Sequence, residues 1–442
     1  TFIRLFYLGI SQMHSTVENK DTKISNLVRL YKEGDMNVVI PQAHKLIREY
    51  SSATVYNILA LAYKAQGDYV LAQELYEKLL MSVPENTLFL GNLGNVYTLL
   101  GRLDKAEECF EKALKIEPSL VDTTISLGNI FLQTGRLDDA LLTFKALLES
   151  CDETKTKEID NINFRIAEVY RNKGPSFFDK AIHYFKQSGD PMSSSHCLEL
   201  TYILEDRDTY TKEAQEINLK DELSPLIGAI QTHASIRYGH ADSNQFCKDP
   251  LEYIHHSKLT LEEGFDEELV ENLLRIKNNL SSISQDLLNN GEQTAGNLLL
   301  LDDPNIETIK KIIVKRIEKY REKYKYSEDG FIKKWPKSTD LYGWIIDLKK
   351  GGSLNSHMHK LGWLSGSLYL KLEKPKGSNQ GNIIFDLKGV NYPTESKFYP
   401  SIEFNIEKGD IVLFPSSIFH KTVPFESENN RVTLAFDIKP IH

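Results

Sequence analysis

Five of the twelve histidines in this 442-residue chain lie between residues 255 and 420, and three of those stand in a pattern that can do chemistry. His357 and His359 flank Met358 just after the Gly351-Gly352 turn, and His420 follows 63 residues beyond His357. On an extended backbone residues i and i+2 share a face, so His357 and His359 can point into one cavity. His420 can meet them from another strand. Three neutral imidazoles, or two with a carboxylate, suit divalent iron, copper or zinc. Arg431 comes eleven residues after His420, with Thr433 on the same face of its strand. A guanidinium with a hydroxyl beside it can hold a dicarboxylate. Asp347, Asp386 and Asp437 are acids that could complete a metal site, but no spacing singles one out. His255 and His256 are adjacent, so a helix would turn them about 100° apart, and they read as a poor ligand pair.

Strands must position these residues. After Gly330 the apolar pattern changes from helical to alternating, with candidate strands at Tyr342–Leu348, Ser365–Leu372, Asn382–Leu387, Ser401–Ile406, Asp410–Phe414 and Arg431–Ile438. Gly351-Gly352, Lys376-Gly377-Ser378, Lys408-Gly409 and Glu428-Asn429-Asn430 supply turns. Many short strands with such turns predict a jelly roll rather than a parallel sheet. A helix precedes them: Asp303 caps it, Pro304 takes its first position, and Ile306, Ile309, Ile313, Ile317, Tyr320 and Tyr324 form its apolar stripe.

The first half is organised by a repeat. Ala60, Gly94 and Gly128 are spaced 34 residues apart, as are Tyr63, Tyr97 and Phe131, and Gly67, Gly101 and Gly135. Ala72, Ala106 and Ala140 keep the same step, followed by Tyr76, Phe110 and Phe144, with Pro84 and Pro118 closing two units. Small residues let paired helices approach, and the aromatics fill the gap between neighbours. The pattern resembles the tetratricopeptide repeat, over roughly residues 22–210, with degenerate units at Leu27–Ile47, around Ala167, Tyr170, Gly174, Ala181 and Phe185, and a partial pair or cap at Ser194–Tyr210. Such solenoids usually hold a protein or peptide in their groove.

A second resemblance covers about residues 285–442. Gly343-Trp344, Asn355-Ser356-His357-Met358-His359, Trp363 to Leu370, Gly409 to Ser416, His420 and Arg431 resemble a family of 2-oxoglutarate-Fe(II) oxygenases, whose members are often fused to tetratricopeptide repeats. Gln293–Leu298 resembles the family's first strand, and Phe246-Cys247 with Pro250 its connector. The resemblance implies a hydroxylase that uses Fe(II), 2-oxoglutarate and O2. His357 and His420 then hold the metal, and Arg431, helped by Thr433 and Tyr369, holds the distal carboxylate of 2-oxoglutarate. The sequence departs from the His-x-Asp/Glu pattern of the superfamily: His359 stands at the acidic place. It is open as a third ligand, a donor behind the ligands, or a bystander. Two rivals follow from the same residues. A cupin-like three-histidine enzyme independent of 2-oxoglutarate fits Gly351 before His357 and Gly409 to Pro415 before His420. A non-catalytic repeat adaptor with a degenerate jelly roll fits the missing acid.

Composition narrows the setting. Lys plus Arg is 53 against 62 Asp plus Glu, a formal charge of -9, which argues against nucleic-acid binding. Four cysteines without metal or disulfide spacing point to free thiols in a reducing cytoplasm. The apolar run at residues 1–10 falls short of the roughly 20 residues of a membrane span, and no small-residue cleavage site follows it. Met13 reads as a start. The expected organisation is α+β multidomain: a disordered or non-native extension (1–21), an α-helical tetratricopeptide solenoid (22–215), a helical connector (216–284), and a double-stranded β-helix or jelly roll (285–442).

Overall fold

A computed structural model describes residues 20–50, 52–239, 244–283, 285–375, 377–394 and 398–441. The expectation for the N-terminal extension lies outside these residues up to residue 19, while Lys20 and Asp21 already open the first helix. The repeat portion runs α1 (Lys20–Glu33), α2 (Met36–Glu49), α3 (Ala53–Gln66), α4 (Tyr69–Ser82), α5 (Thr87–Leu99), α6 (Leu103–Ile116), α7 (Val121–Gln133), α8 (Leu137–Ser150), α9 (Thr156–Asn172), α10 (Phe178–Gln187), α11 (Ser193–Ile203), α12 (Arg207–Leu219) and α13 (Pro225–Tyr238). The aligned glycines Gly67, Gly101 and Gly135 end or follow the first helix of each regular pair with φ of +89°, +70° and +75°. That left-handed conformation is one a side chain resists, so the period fixes the hairpins. A Cβ on Gly94 would sit 2.5 Å from the Phe110 ring, and one on Gly128 the same distance from Phe144. The small and aromatic columns of the repeat are therefore one contact.

Helices α11 and α13 break the amphipathic rule. Nine residues of α11 and eleven of α13 are buried, polar ones among them. A helix buried all round lies between two layers. One layer is the rest of the solenoid; the other is the β portion, reached through Tyr202 beside Tyr392 and through His233, whose ring stacks on Tyr399 at 4.4 Å. The solenoid also meets the β portion at its other end. A side chain on Gly296 would run into the Tyr69 hydroxyl, and one on Gly101 would lie 2.9 Å from Ile283.

The β portion comprises β1 (His255–Lys258), β2 (Ser282–Ile283), β3 (Leu288–Thr294), β4 (Thr339–Leu354), β5 (Leu364–Lys371), β6 (Ile383–Asp386), β7 (Ser401–Phe404), β8 (Asp410–Pro415), β9 (Phe419–Thr422) and β10 (Arg431–Pro440), with α14 (Glu267–Asn279), α15 (Pro304–Tyr324) and α16 (Gly330–Lys333) interspersed. A seven-stranded sheet has the order β1-β8-β5-β10-β4-β3-β2, and a three-stranded sheet the order β7-β6-β9. All the pairings are antiparallel. This is the jelly-roll sandwich that the turn spacing predicts. Helix α15 starts as read, with the Asp303 side chain accepting from the amides of Asn305 and Ile306, and its Ile306, Ile309, Ile313, Ile317 and Tyr320 enter the core of the larger sheet.

The middle segment differs from the helical reading. His255 and His256 lie on β1, paired to β8, not on a helix. His256 Nε2 meets Asp410 Oδ2 at 3.0 Å and His255 Nδ1 meets Lys323 at 3.1 Å, so their partners are a strand and a helix rather than a metal. Strand β2 likewise lies in residues read as connector. Its two residues, and the four of β1, are too few to carry an alternating signal.

Gly128→Ala adds helix propensity yet forces a methyl into the Phe144 ring. A net loss of about 1–3 kcal/mol is expected, read as a lower urea midpoint by circular dichroism; an unchanged or raised midpoint would show that the ring yields.

Candidate metal centre

Beyond β4 the chain leaves the large sheet and crosses to the small one. There His357 and His420 exchange backbone hydrogen bonds, 3.1 Å and 2.9 Å, as an isolated antiparallel bridge. Directly opposed residues put their side chains on one side, and the two rings lie 4.3 Å apart. His359 follows on the same face, as the alternation predicts, its amide donating to the Ser416 carbonyl at 3.2 Å. One ring nitrogen of each of His357, His359 and His420 lies within 4.8 Å of the other two. His420 is buried, and the other two are half-buried.

Each ring is oriented from behind. His357 Nδ1 faces the Asn355 carbonyl at 2.8 Å, His359 Nδ1 faces Asp437 Oδ1 at 2.6 Å, and His420 Nδ1 faces the Ile418 carbonyl at 3.3 Å. Oxygen partners of this kind take the Nδ1 proton and leave the Nε2 lone pair free. His357 and His359 then aim two Nε2 lone pairs at each other across 3.4 Å. Burial, followed by the neighbouring His359, pushes the His357 imidazole down to about 4, and burial with both neighbours holds His420 well below its usual value. His357 and His420 are thereby held neutral at pH 7, the state that ligates a metal.

Asp437 does not stand among the converging nitrogens; it holds His359. Its Oδ1 also accepts from Ser365 Oγ at 2.7 Å, and Ser365 Oγ lies 2.7 Å from Ser416 Oγ. Asp347 pairs with Lys277 and accepts from Asn430 at 2.7 Å, and Asp386 accepts from the Lys388 amide at 3.0 Å. Neither joins the cavity. The signal for Asp437 was in the alternation: Arg431, Thr433, Ala435, Asp437 and Lys439 of β10 all line the same cavity, of about 380 Å³.

The far wall of that cavity is polar and unmatched. Arg431, Tyr369 and Thr433 are 1%, 0% and 3% exposed. Thr433 and Tyr369 are directly opposed across β10 and β5. Arg431 Nε donates to the Gly381 carbonyl at 3.2 Å and the guanidinium lies 5.0 Å from the Tyr369 ring centre. Arg431 Nη1, Tyr369 Oη and Thr433 Oγ1 meet no well-aligned hydrogen-bond partner among the described residues, the phenol and the guanidinium engaging each other only loosely. Burial raises the Tyr369 phenol to about 12 and lowers the Arg431 guanidinium, which remains a cation. Leaving such groups unmatched costs about 1–3 kcal/mol each, more for the charge. A carboxylate is the group that answers all three.

Comparison with known proteins agrees with this geometry. Residues 342–437 match the family model described as Putative 2OG-Fe(II) oxygenase. That segment of the β portion is similar to this family. Residues 56–187 match the model of the cilia and flagella-associated protein 70 middle TPR-like domain, so tetratricopeptide-like repeats precede the matched segment. No curated protein matches the chain. Similar solved structures include PilF of Pseudomonas aeruginosa (21% identity, TM-score 0.39, 48% of this chain and 96% of that one) and a tetratricopeptide repeat protein of Parabacteroides merdae (14%, TM-score 0.43, 58% and 98%). Among the described residues no helix is long and apolar enough to cross a membrane.

A buried guanidinium with an open donor is a site kept at the expense of stability. The Arg431→Met variant is expected to unfold within about 1 kcal/mol of the parent, or later. 2-Oxoglutarate should raise the thermal midpoint of the parent and not that of the variant. A variant several kcal/mol less stable would make Arg431 a structural residue.

Proposed function

We propose that the chain is a 2-oxoglutarate- and Fe(II)-dependent hydroxylase whose repeats recruit a protein or peptide substrate. One coincidence carries the reading: three imidazoles with their Nδ1 positions engaged share a cavity with a buried guanidinium whose Nη1 is free. His357, His359 and His420 hold the metal through Nε2. The facing lone pairs of His357 and His359 repel unless a cation lies near both, and Asp437 keeps His359 turned toward it. Arg431, with Thr433 and Tyr369, takes the distal carboxylate of 2-oxoglutarate. The bound iron and cosubstrate supply the oxidation, in which 2-oxoglutarate, O2 and a substrate C–H become succinate, CO2 and an alcohol. An all-histidine set leaves the ferrous charge uncompensated by the protein, which favours an anionic cosubstrate.

The residues lining the cavity support a polypeptide substrate. Ile283, Gly296 and Lys360 line it and also touch the repeat portion, at Gly101, Tyr69 and Glu199. The same reading takes residues 22–215 as the repeats and 285–442 as the oxygenase unit; of the intervening 216–284 segment, α13 extends the repeat stack and β1 and β2 lend edge strands to the sheet. The same three histidines also fit the cupin-like alternative, in which Arg431 has no role.

Anaerobic titration of the full chain is expected to give a visible absorption band that needs both Fe(II) and 2-oxoglutarate. His357→Ala and His420→Ala should abolish iron binding. Arg431→Ala should keep iron and weaken 2-oxoglutarate by about 2 kcal/mol or more. A parent protein that binds iron without 2-oxoglutarate, or turns over in its absence, would move the assignment to the cupin-like class.

A further inference from the structure

The neighbours of the histidines, on the two segments that carry them, reach the repeat portion. Met358, between His357 and His359, packs against the cluster formed by Leu198, Tyr202 and the buried residues of α13. Phe419, next to His420, belongs to the same cluster, its ring 5.7 Å from that of Tyr392. Lys360, next to His359, reaches α11: its Nζ donates to both carboxylate oxygens of Glu199, at 3.0 Å and 2.9 Å. Glu199 is 8% exposed, with Arg171 on α9 3.6 Å and His196 on its own helix 3.7 Å away. A lysine that meets both oxygens of a buried carboxylate resists displacement better than a fully exposed pair does. The repeat portion therefore grips the histidine-bearing backbone at three side chains, Met358, Lys360 and Phe419, and the reverse side of the centre is built from repeat helices.

We propose that Glu199, on repeat helix α11, is a positioning residue for the centre: through Lys360 it fixes the His357–Lys360 segment, with α11 and α13 as its outer wall. This rests on the assignment of the three histidines as metal ligands. Its consequence is that the oxygenase unit does not hold metal at full affinity without the repeats behind it.

The test uses the full chain and Fe(II) affinity under anaerobic conditions, with the unfolding midpoint measured alongside. Glu199→Gln and Lys360→Met are each expected to weaken Fe(II) binding about tenfold, the scale of lost outer supports around a metal. The double variant should lose no more than either single one, since both act through one contact. Lys360 is half-exposed, so should Glu199→Gln fail to fold, Lys360→Met carries the test alone. Unchanged iron affinity in the folded variants, or losses that add in the double variant, would overturn the positioning role and leave the ligand assignment standing. A parent protein that takes up no iron would instead remove the ligand assignment, and this inference with it.

Discussion

Two backbone hydrogen bonds hold the centre together. The pair exchanged by His357 and His420 is the join between a segment leaving the large sheet and a strand of the small one. Without it the two imidazoles belong to different layers and nothing sets their distance. With it they lie side by side, and the period-two alternation brings His359 to the same side without further instruction. The Nδ1 partners then need only rotate rings that the backbone has already placed. Leu354, whose amide donates to Thr422 Oγ1 at 2.7 Å, stitches the same seam three residues earlier.

The rest of the sandwich makes the polar interior affordable. The large sheet packs on α15 and α16 through one extensive apolar cluster, and the small sheet closes a second around Tyr369, Phe385 and Phe414. Between them one guanidinium nitrogen, a phenol and a hydroxyl are left without a well-aligned partner among the described residues. Isolated polar groups persist in an interior where something other than folding retains them. Here they sit across the cavity from three imidazoles whose Nδ1 positions are engaged, so one face of the space is suited to an anion and the other to a cation.

Much of this was legible in the sequence, and the rest fails for definite reasons. The repeat was readable because three units keep one spacing, and glycines with positive φ stand where it demands them. The strands β4, β5, β8 and β10 were readable because each is long enough to alternate. The strands β1, β2 and β9 have four residues or fewer, and β1 finds its partner β8 about 150 residues later. His357 and His359 announced themselves by their spacing. The role of Asp437 needed the register of β10 beside β5, which only the fold supplies. Glu199 was beyond reach altogether: it lies 161 residues from Lys360, in a segment whose local signal is merely that of a helix. All-round burial of α11 and α13 is the mark that such a helix has neighbours on both sides, and it is visible only in three dimensions.

A stack of tandem repeats is ordinarily a spring, because each unit touches only the next and small rotations accumulate along its length. This one is fastened twice to the same rigid body. The turns at Gly67 and Gly101 abut Asn297 and Ile283 near one end, and Glu199 and Tyr202 are anchored near the other. Between the fastenings the superhelix is a strung bow. These contacts constrain its curvature in addition to its own repeat-to-repeat twist, and any ligand that opens the curve must also do work against them.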